Sequence, residues 1–283
     1  MSLRGKTLFI TGASRGIGHA IALRAAQDGA NIAVAAKSTQ AHPRLSGTIY
    51  SAAKDVEACG GHALPLVVDV RDESSVQAAI AETVRAFGGI DIVVNNASAI
   101  SRTPVEVTEM KRYDLMQQVN ARGAFLVSKL ALPHLRRSVN PHILALAPPL
   151  NLAPRWFAGH VAYTISKYGM SMCILGMAAE FAAEGIACNA LWPRFGIATA
   201  AIEFAVGDAD ELRKCRKPEM MADAAYAIFR RPARQCTGNF FIDDTLLHEE
   251  GVRDFARYRV DPNTSLRLGM FIPDNDPPPP GAV

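Results

Sequence analysis

Residues 6–37 read "KTLFITGASRGIGHAIALRAAQDGANIAVAAK", and three elements follow one another in that span. The apolar run at 6–12 stops on Gly12, residues 16–30 carry apolar side chains at helical spacing, and 31–37 is a second apolar run. Both runs are continuously apolar rather than alternating, which marks strands buried on two faces. The spacing therefore predicts parallel neighbours joined by a covering helix. The same alternation continues outward. Helical patterns at 51–61, 73–89, about Lys111–Leu135, about Ala162–Ala183 and 221–230 separate strand patterns at 63–70, 90–97, 142–147, 186–192 and 239–243. With right-handed crossovers this order predicts an α/β fold: one doubly wound parallel sheet of about seven strands with helices on both faces. No linker interrupts it, so residues 1–260 are expected to form one domain. Residues 261–283 lack periodicity, end in "DNDPPPPGAV", and are expected as an extended or disordered tail. The segment "KSTQAHPRLSGTIY" (37–50) is long for a strand-to-helix connection, which suggests a rim or substrate-side loop.

Bulk composition narrows the function classes. At 283 residues, 49% hydrophobic and 20% charged, the chain can bury a sizeable core. A net charge of +3, with Lys and Arg spread along the chain, argues against a nucleic-acid or membrane surface, though not against one small anionic ligand. Five cysteines (Cys59, Cys173, Cys188, Cys215, Cys236) are odd in number and form no C-x-x-C pair. Reduced thiols are expected, not a disulfide framework or a metal site. No basic-then-apolar leader opens the sequence and no apolar run reaches membrane-spanning length, so a soluble cytoplasmic protein is the expectation.

The glycine turn "TGASRGIG" (11–18) lies between the first strand and the first helix. Gly12 permits the tight turn. Gly16 and Gly18 remove side chains where the backbone approaches a pyrophosphate and where the helix packs on the sheet. The helix N-terminus adds unpaired N–H groups and a partial positive charge. This context points to a bound dinucleotide, with Ser14, Arg15 and Ile17 along the turn. An NAD site places an acid at the end of the second strand, but here Ala36 is followed by Lys37 and Ser38. Lys37 and Arg15 could flank a ribose 2′-phosphate, so the charges favour NADP(H) over NAD.

Tyr163 and Lys167 in "YTISK" are four residues apart and fall on one face of a helix. A phenol, with a pKa of about 10, is a poor acid–base group at neutral pH unless a cation favours its phenolate. Lys167 can supply that field. Together with "TGASRGIG", "NNAS" (95–98) and Asn120, this pair resembles the short-chain dehydrogenase/reductase family in order and spacing over about residues 4–245. The resemblance implies a Rossmann-type oxidoreductase that exchanges hydride between NADP(H) and a small-molecule carbonyl or secondary alcohol, assembled as a homodimer or homotetramer through its two long central helices. It implies Tyr163 as proton donor or acceptor, Lys167 as holder of the nicotinamide ribose, and Asn120 as anchor of a water in a proton relay. On the cofactor side it implies Asp69 and Val70 at the adenine, Asn96 and Ala97 beneath the dinucleotide, and Pro193, Ile197 and Thr199 near the carboxamide. "PRFGIAT" (193–199) departs from the family pattern by Arg194, where glycine is usual, and by one extra residue.

A second departure bears on the chemistry. "HILALAPP" (142–149) puts Ala147 and Pro148 where the family carries two serines, the second of which hydrogen-bonds the substrate carbonyl. Proline has neither a side-chain hydroxyl nor an N–H. Losing one preorganised donor costs roughly 10²–10³ in rate. Asn151 and Ser98 are candidate replacements, with a loop turn and cofactor-side packing as their other readings. His160, Trp156 and Phe157 could face the pocket, or else be solvated and pack the loop on the core. Two functions therefore stand: an NADP(H)-dependent oxidoreductase, or a dinucleotide-binding module without redox turnover.

Overall fold

The computed structural model describes residues 1–40, 47–200 and 209–283. Seven strands form one sheet: β1 (Thr7–Thr11), β2 (Asn31–Ala36), β3 (His62–Val67), β4 (Ile92–Asn95), β5 (His142–Ala145), β6 (Ala187–Trp192) and β7 (Phe240–Ile242). Their order is β3-β2-β1-β4-β5-β6-β7 and every pairing is parallel. The described helices are α1 (Gly16–Ala26), α2 (Ile49–Ala58), α3 (Glu73–Phe87), α4 (Met110–Met116), α5 (Gly123–Leu135), α6 (Val161–Glu180), α7 (Ala209–Arg213), α8 (Glu219–Arg230) and α9 (Asp243–Glu249). The central strands β1, β4 and β5 are buried along their whole length because helices cover both faces. On one face Leu8, Ile10 and Val34 meet Ile21, Ile228 and Leu246. On the other, Phe9, Val93 and Ile143 meet Ile80, Val127 and Ile174. Strand order reverses between β1 and β4, so the loops leaving their carboxyl ends part and open a crevice.

Local chemistry sets several boundaries. Thr48 and Ser51 form a reciprocal capping box, each side chain taking the other's backbone N–H at 3.1 and 2.8 Å, which starts α2. Residues 41–46 of the expected rim loop lie outside the described residues. Its returning limb lies on the glycine turn, where the Gly47 carbonyl accepts from Arg15 at 2.7 Å. The helix expected over Lys111–Leu135 is interrupted. A π-helical segment, Gln117–Arg122, separates α4 from α5, and the wider turn carries Asn120 into the interior. No described helix is long and apolar enough to cross a membrane.

Residues 261–283 contain no helix or strand and most are at least partly exposed, yet the segment is pinned to the core at a few points. Phe271 is completely buried, and Ile272 and Ala282 nearly so. The anchor is a buried charge network. Arg194 Nε pairs with Asp244 Oδ1 at 2.8 Å, the Arg194 N–H donates to Asp243 Oδ1 at 3.0 Å, and Arg194 Nη2 reaches Asp276 Oδ2 at 3.1 Å. Arg216 pairs with Asp244 Oδ2 at 3.4 Å and donates to the Ala282 carbonyl. Arg194, Arg216, Asp243 and Asp244 are all solvent-inaccessible. Burial, and then the adjacent Asp244 carboxylate, push the Asp243 carboxyl well up. Arg194 thus occupies the usual glycine position for a structural reason: it pegs the end of the chain to the end of β6.

Candidate active site

The crevice at the carboxyl ends of the strands encloses about 1010 Å³. A shallower groove of about 890 Å³ between α1 and α8 shares Arg15, Gly16 and Thr199 with it but contains neither Tyr163 nor Lys167.

At one end of the cleft the glycine turn is held in left-handed backbone, Gly12 at φ 67° and Gly16 at φ 60°. Arg15, the residue before α1, makes no side-chain cap, and the first turn holds no acid. The N–H groups of the helix start therefore remain available to an anion. Gly16 faces Thr199, whose Cγ2 would lie 3.4 Å from an added Cβ. Gly18 lies off the cleft, where α1 packs closely on the carboxyl end of the sheet. A Cβ there would collide with the Asn96 amide and approach the Gly12 carbonyl to 2.9 Å. That amide donates to the Thr11 and Gly12 carbonyls at 2.9 and 3.1 Å, tying β4 to the turn. Asn96 and Gly18 are therefore one interlock, and Asn96 also lines the cleft with Ala97, Ser14 and Ile17.

The cations beside β2 are already engaged. Arg15 Nη2 donates to Ser38 Oγ at 3.0 Å as well as to Gly47. Lys37 Nζ lies 3.0 Å from Asp69 Oδ2. Asp69 also receives Arg71 at 2.6 Å, and Arg71, ahead of Lys37, holds its carboxyl far below the ordinary carboxylate range. Arg71 is a third cation at this corner that sequence reasoning missed; its position two residues after Asp69 was the available signal. Val70 lines the cleft beside them and packs on Gly123, where a Cβ would approach it to 3.0 Å.

At the other end stands α6. Tyr163 and Lys167 are 6% and 3% exposed, and both line the cleft. Burial pushes the Tyr163 phenol up to about 12, partly offset by the charge of Arg102. Burial brings the Lys167 ammonium down to about 7. No carboxylate meets it among the described residues. Nζ instead donates to the Leu146 carbonyl at 2.5 Å, and it lies 5.2 Å from the Trp192 ring centroid. Pro193, Ile197 and Thr199 also line the cleft.

Asn120 does not. It is fully buried, donates from Nδ2 to the Ala99 carbonyl at 3.0 Å and to Ser166 Oγ at 2.9 Å, and accepts the Ala99 N–H at 2.8 Å. Both amide hydrogens are spent on bracing β4's exit against α6, so a relay water would have to be held through an oxygen of Asn120.

The segment lacking serines turns inward. Ala147 and Pro148 are buried, and the Pro148 carbonyl accepts Ser171 Oγ at 2.6 Å. Asn151 makes a turn, its Oδ1 accepting the Ala153 N–H at 3.0 Å. His160 lies off the cleft. Trp156 packs on Phe271 and Phe157 on Tyr168, with ring centroids 5.7 and 5.6 Å apart. Of the candidate donors, Ser98 lines the cleft, as do Ser101 and Arg102. The remaining wall comes from the tail. Phe271 lies against the rings of Tyr163, Tyr168 and Trp192, and Trp192 Nε1 donates to the Met270 carbonyl at 2.7 Å.

Comparison with known proteins bears on this arrangement. A family model described as short chain dehydrogenase matches residues 6–203. The chain is 57% identical over 270 residues to hydroxysteroid dehydrogenase-like protein 2 of Danio rerio, covering 95% of this chain and 64% of that protein. It thus spans just under two thirds of that relative's length. Among solved structures, a Xanthomonas campestris protein with a provisional dehydrogenase assignment superposes with a TM-score of 0.94 at 55% identity, covering 97% of this chain and 100% of that one. A short chain dehydrogenase from Mycobacterium thermoresistibile gives 0.92 at 48% identity, covering 98% of this chain and 99% of that one.

Proposed function

The chain belongs to the short-chain dehydrogenase family, and from that premise we propose that it interconverts a carbonyl and a secondary alcohol with NADP(H), using Tyr163 as the acid and base. The observation that carries this reading is the pair itself: Tyr163 and Lys167, one turn apart on α6, both buried yet both lining the crevice that the glycine turn also lines. The residues fit a dinucleotide. Two left-handed glycines shape a concave turn, and the uncapped start of α1 faces an anion without a nearby acid. Gly12, Ser14, Arg15, Gly16 and Ile17 would hold the phosphates, Asp69 and Val70 would flank the adenine, and Lys37 with Ser38 would meet a ribose 2′-phosphate. The corner is rich in cations, with Lys37 and Arg71 outnumbering the one carboxylate between them, which favours NADP(H).

When bound, the nicotinamide supplies the hydride in reduction and takes it in oxidation. Tyr163, its phenol held protonated through neutral pH, donates Oη–H to the oxygen as the carbon gains hydride, and takes the proton back in the reverse direction. Lys167, anchored on Leu146, places positive charge beside the phenol and eases formation of its phenolate. Where the family has a serine, this chain presents no hydroxyl from β5, so the polarising donors are Tyr163 with Ser98 from the loop after β4. Large apolar side chains stay exposed on α5 and α6, among them Phe125, Met172 and Leu175, and they are the surface through which a homodimer or homotetramer would form.

A second reading, dinucleotide binding without turnover, draws on the buried Ala147–Pro148 segment. One experiment separates the two. The full chain loaded with NADPH is followed at 340 nm in single turnover against aldehydes, ketones and 3-oxoacyl compounds, beside Tyr163→Phe. Oxidation by the wild type that disappears in the variant supports the oxidoreductase. Tight NADPH binding with no oxidation by either protein supports the binding module.

A further inference from the structure

Seven cationic side chains and a single carboxylate line the cleft among the described residues. The carboxylate, Asp69, is held by Lys37 and Arg71 at the β2–β3 corner. Arg267 pairs with Glu211 at 2.6 Å. Arg15 is spent on Ser38 and Gly47, and Lys167 on Leu146. Two guanidinium groups are left, those of Arg102 and Arg112, and neither makes an ion pair with a described residue.

Arg102 is the informative one. It sits half-buried in the loop after β4 and lines the cleft. Its side chain makes one contact with a described residue, Nη1 on the Met270 thioether at 3.6 Å, a weak acceptor for a group with five N–H donors. It is close enough for its charge to act on Tyr163 and on His160. A half-buried guanidinium in the cleft with most of its donors not engaged by the protein is open to an oxyanion. The surroundings are apolar: Ile100, Leu115, Leu268 and Met270 line the same stretch.

Resting on the oxidoreductase reading, we infer that the substrate is a partly apolar oxo compound carrying an anionic group, a carboxylate or a phosphate ester, and that Arg102 binds that group so as to place the carbonyl beside Tyr163. Planar, bidentate recognition of either oxyanion is the chemistry a guanidinium performs best. Arg112, on the first turn of α4, adds positive charge to the approach without being required for the bidentate contact.

The test uses the full chain saturated with NADPH and matched 3-oxooctanoyl compounds: the free acid, its methyl ester and its coenzyme A thioester. Charged forms are expected to exceed the ester in kcat/KM by at least tenfold, carried by KM. Arg102→Met should bring that ratio to about one, and Arg102→Lys should restore part of it. A preference for the free acid identifies a carboxylate partner, and a preference for the thioester a phosphate. Equal handling of acid, ester and thioester by the wild type overturns the inference, as does a loss in Arg102→Met that falls equally on all three. If no compound turns over, the oxidoreductase reading has failed by itself, and calorimetry of the NADP⁺-saturated chain still decides the anion site. Binding of octanoate or of 4′-phosphopantetheine, weakened at least tenfold in Arg102→Met, sustains it. Binding of neither, or unchanged binding in the variant, overturns it.

Discussion

The two ends of the cleft are built in opposite ways. The glycine-turn end comes mostly from the first three strands and the loops that follow them, with Asn96 added at the exit of β4: Gly12, Gly18 and Asn96 interlock through backbone carbonyls, and Arg15 with Ser38 and Lys37 with Asp69 close the corner. The tyrosine end is gathered from four distant stretches that supply Arg102, Tyr163, Trp192 and Met270, with Phe271 packed behind the Tyr163 ring. Polar groups at the first end are mostly satisfied within the protein. At the second, the Tyr163 hydroxyl makes no hydrogen bond to a described residue and Arg102 rests on a thioether. Both groups line the cleft, so this end keeps hydrogen-bonding capacity for something that is not protein.

Four measurements sharpen that contrast or break it. The largest effect is expected for Tyr163→Phe, which should lower single-turnover oxidation of NADPH by roughly 10²–10⁴ while the dinucleotide Kd, read by NADPH fluorescence, moves less than threefold. An equal loss of dinucleotide affinity would mean that the two ends are not separable. Phe271→Ala comes next. It empties a fully enclosed aromatic site and should lower unfolding free energy by about 3–5 kcal/mol in urea titration, with KM for a substrate rising and NADPH affinity holding. Lys37→Ala acts on the opposite end. It should weaken NADPH about tenfold and leave NADH within twofold in parallel calorimetry, since only the former brings a 2′-phosphate. Equal losses for both dinucleotides would remove the case for NADP(H).

The smallest effect concerns the tail anchor. The Asp243 carboxyl is raised in the folded chain, so the folded state holds its proton where the unfolded chain releases it. The stability this provides is complete below the ordinary aspartate value, about 4, and is lost as pH rises toward neutrality. Wild-type stability should therefore fall between pH 5 and 7.5 by on the order of 1–2 kcal/mol more than that of Asp243→Asn, followed by urea denaturation at each pH. Asparagine keeps the oxygen that accepts the Arg194 and Asp244 N–H groups.

Legibility in the sequence follows the same divide. The glycine turn, the parallel sheet and the Tyr163–Lys167 pair could be read because each depends on residues within one βαβ unit or one helical turn. The partner of Gly18 was not legible, because the Asn96 amide that fills its space lies far along the chain and no local pattern points there. Asn120 was read for its place in the middle helix, but its side chain answers to Ala99 and Ser166, which only the π-helical segment brings within reach. Arg194 looked like a lapse from a pattern until Asp244 and Asp276 supplied the reason. Phe271 carried no signal whatever. An isolated aromatic in an aperiodic, proline-rich stretch reads as linker, and only the rings around it say otherwise.

Because Phe271 follows the glycine turn by so long a stretch of chain, the order of synthesis matters to this cleft. Asn96 leaves the ribosome 175 residues ahead of Phe271. At the usual 5–20 residues per second, the aromatic wall follows the glycine-turn end by roughly 10–35 s. During that interval the rings of Tyr163, Tyr168 and Trp192 lack the partner that covers them in the finished chain. The nascent protein therefore passes through a stage in which its glycine-turn end has been made while the rings around Tyr163 are still open to chaperones.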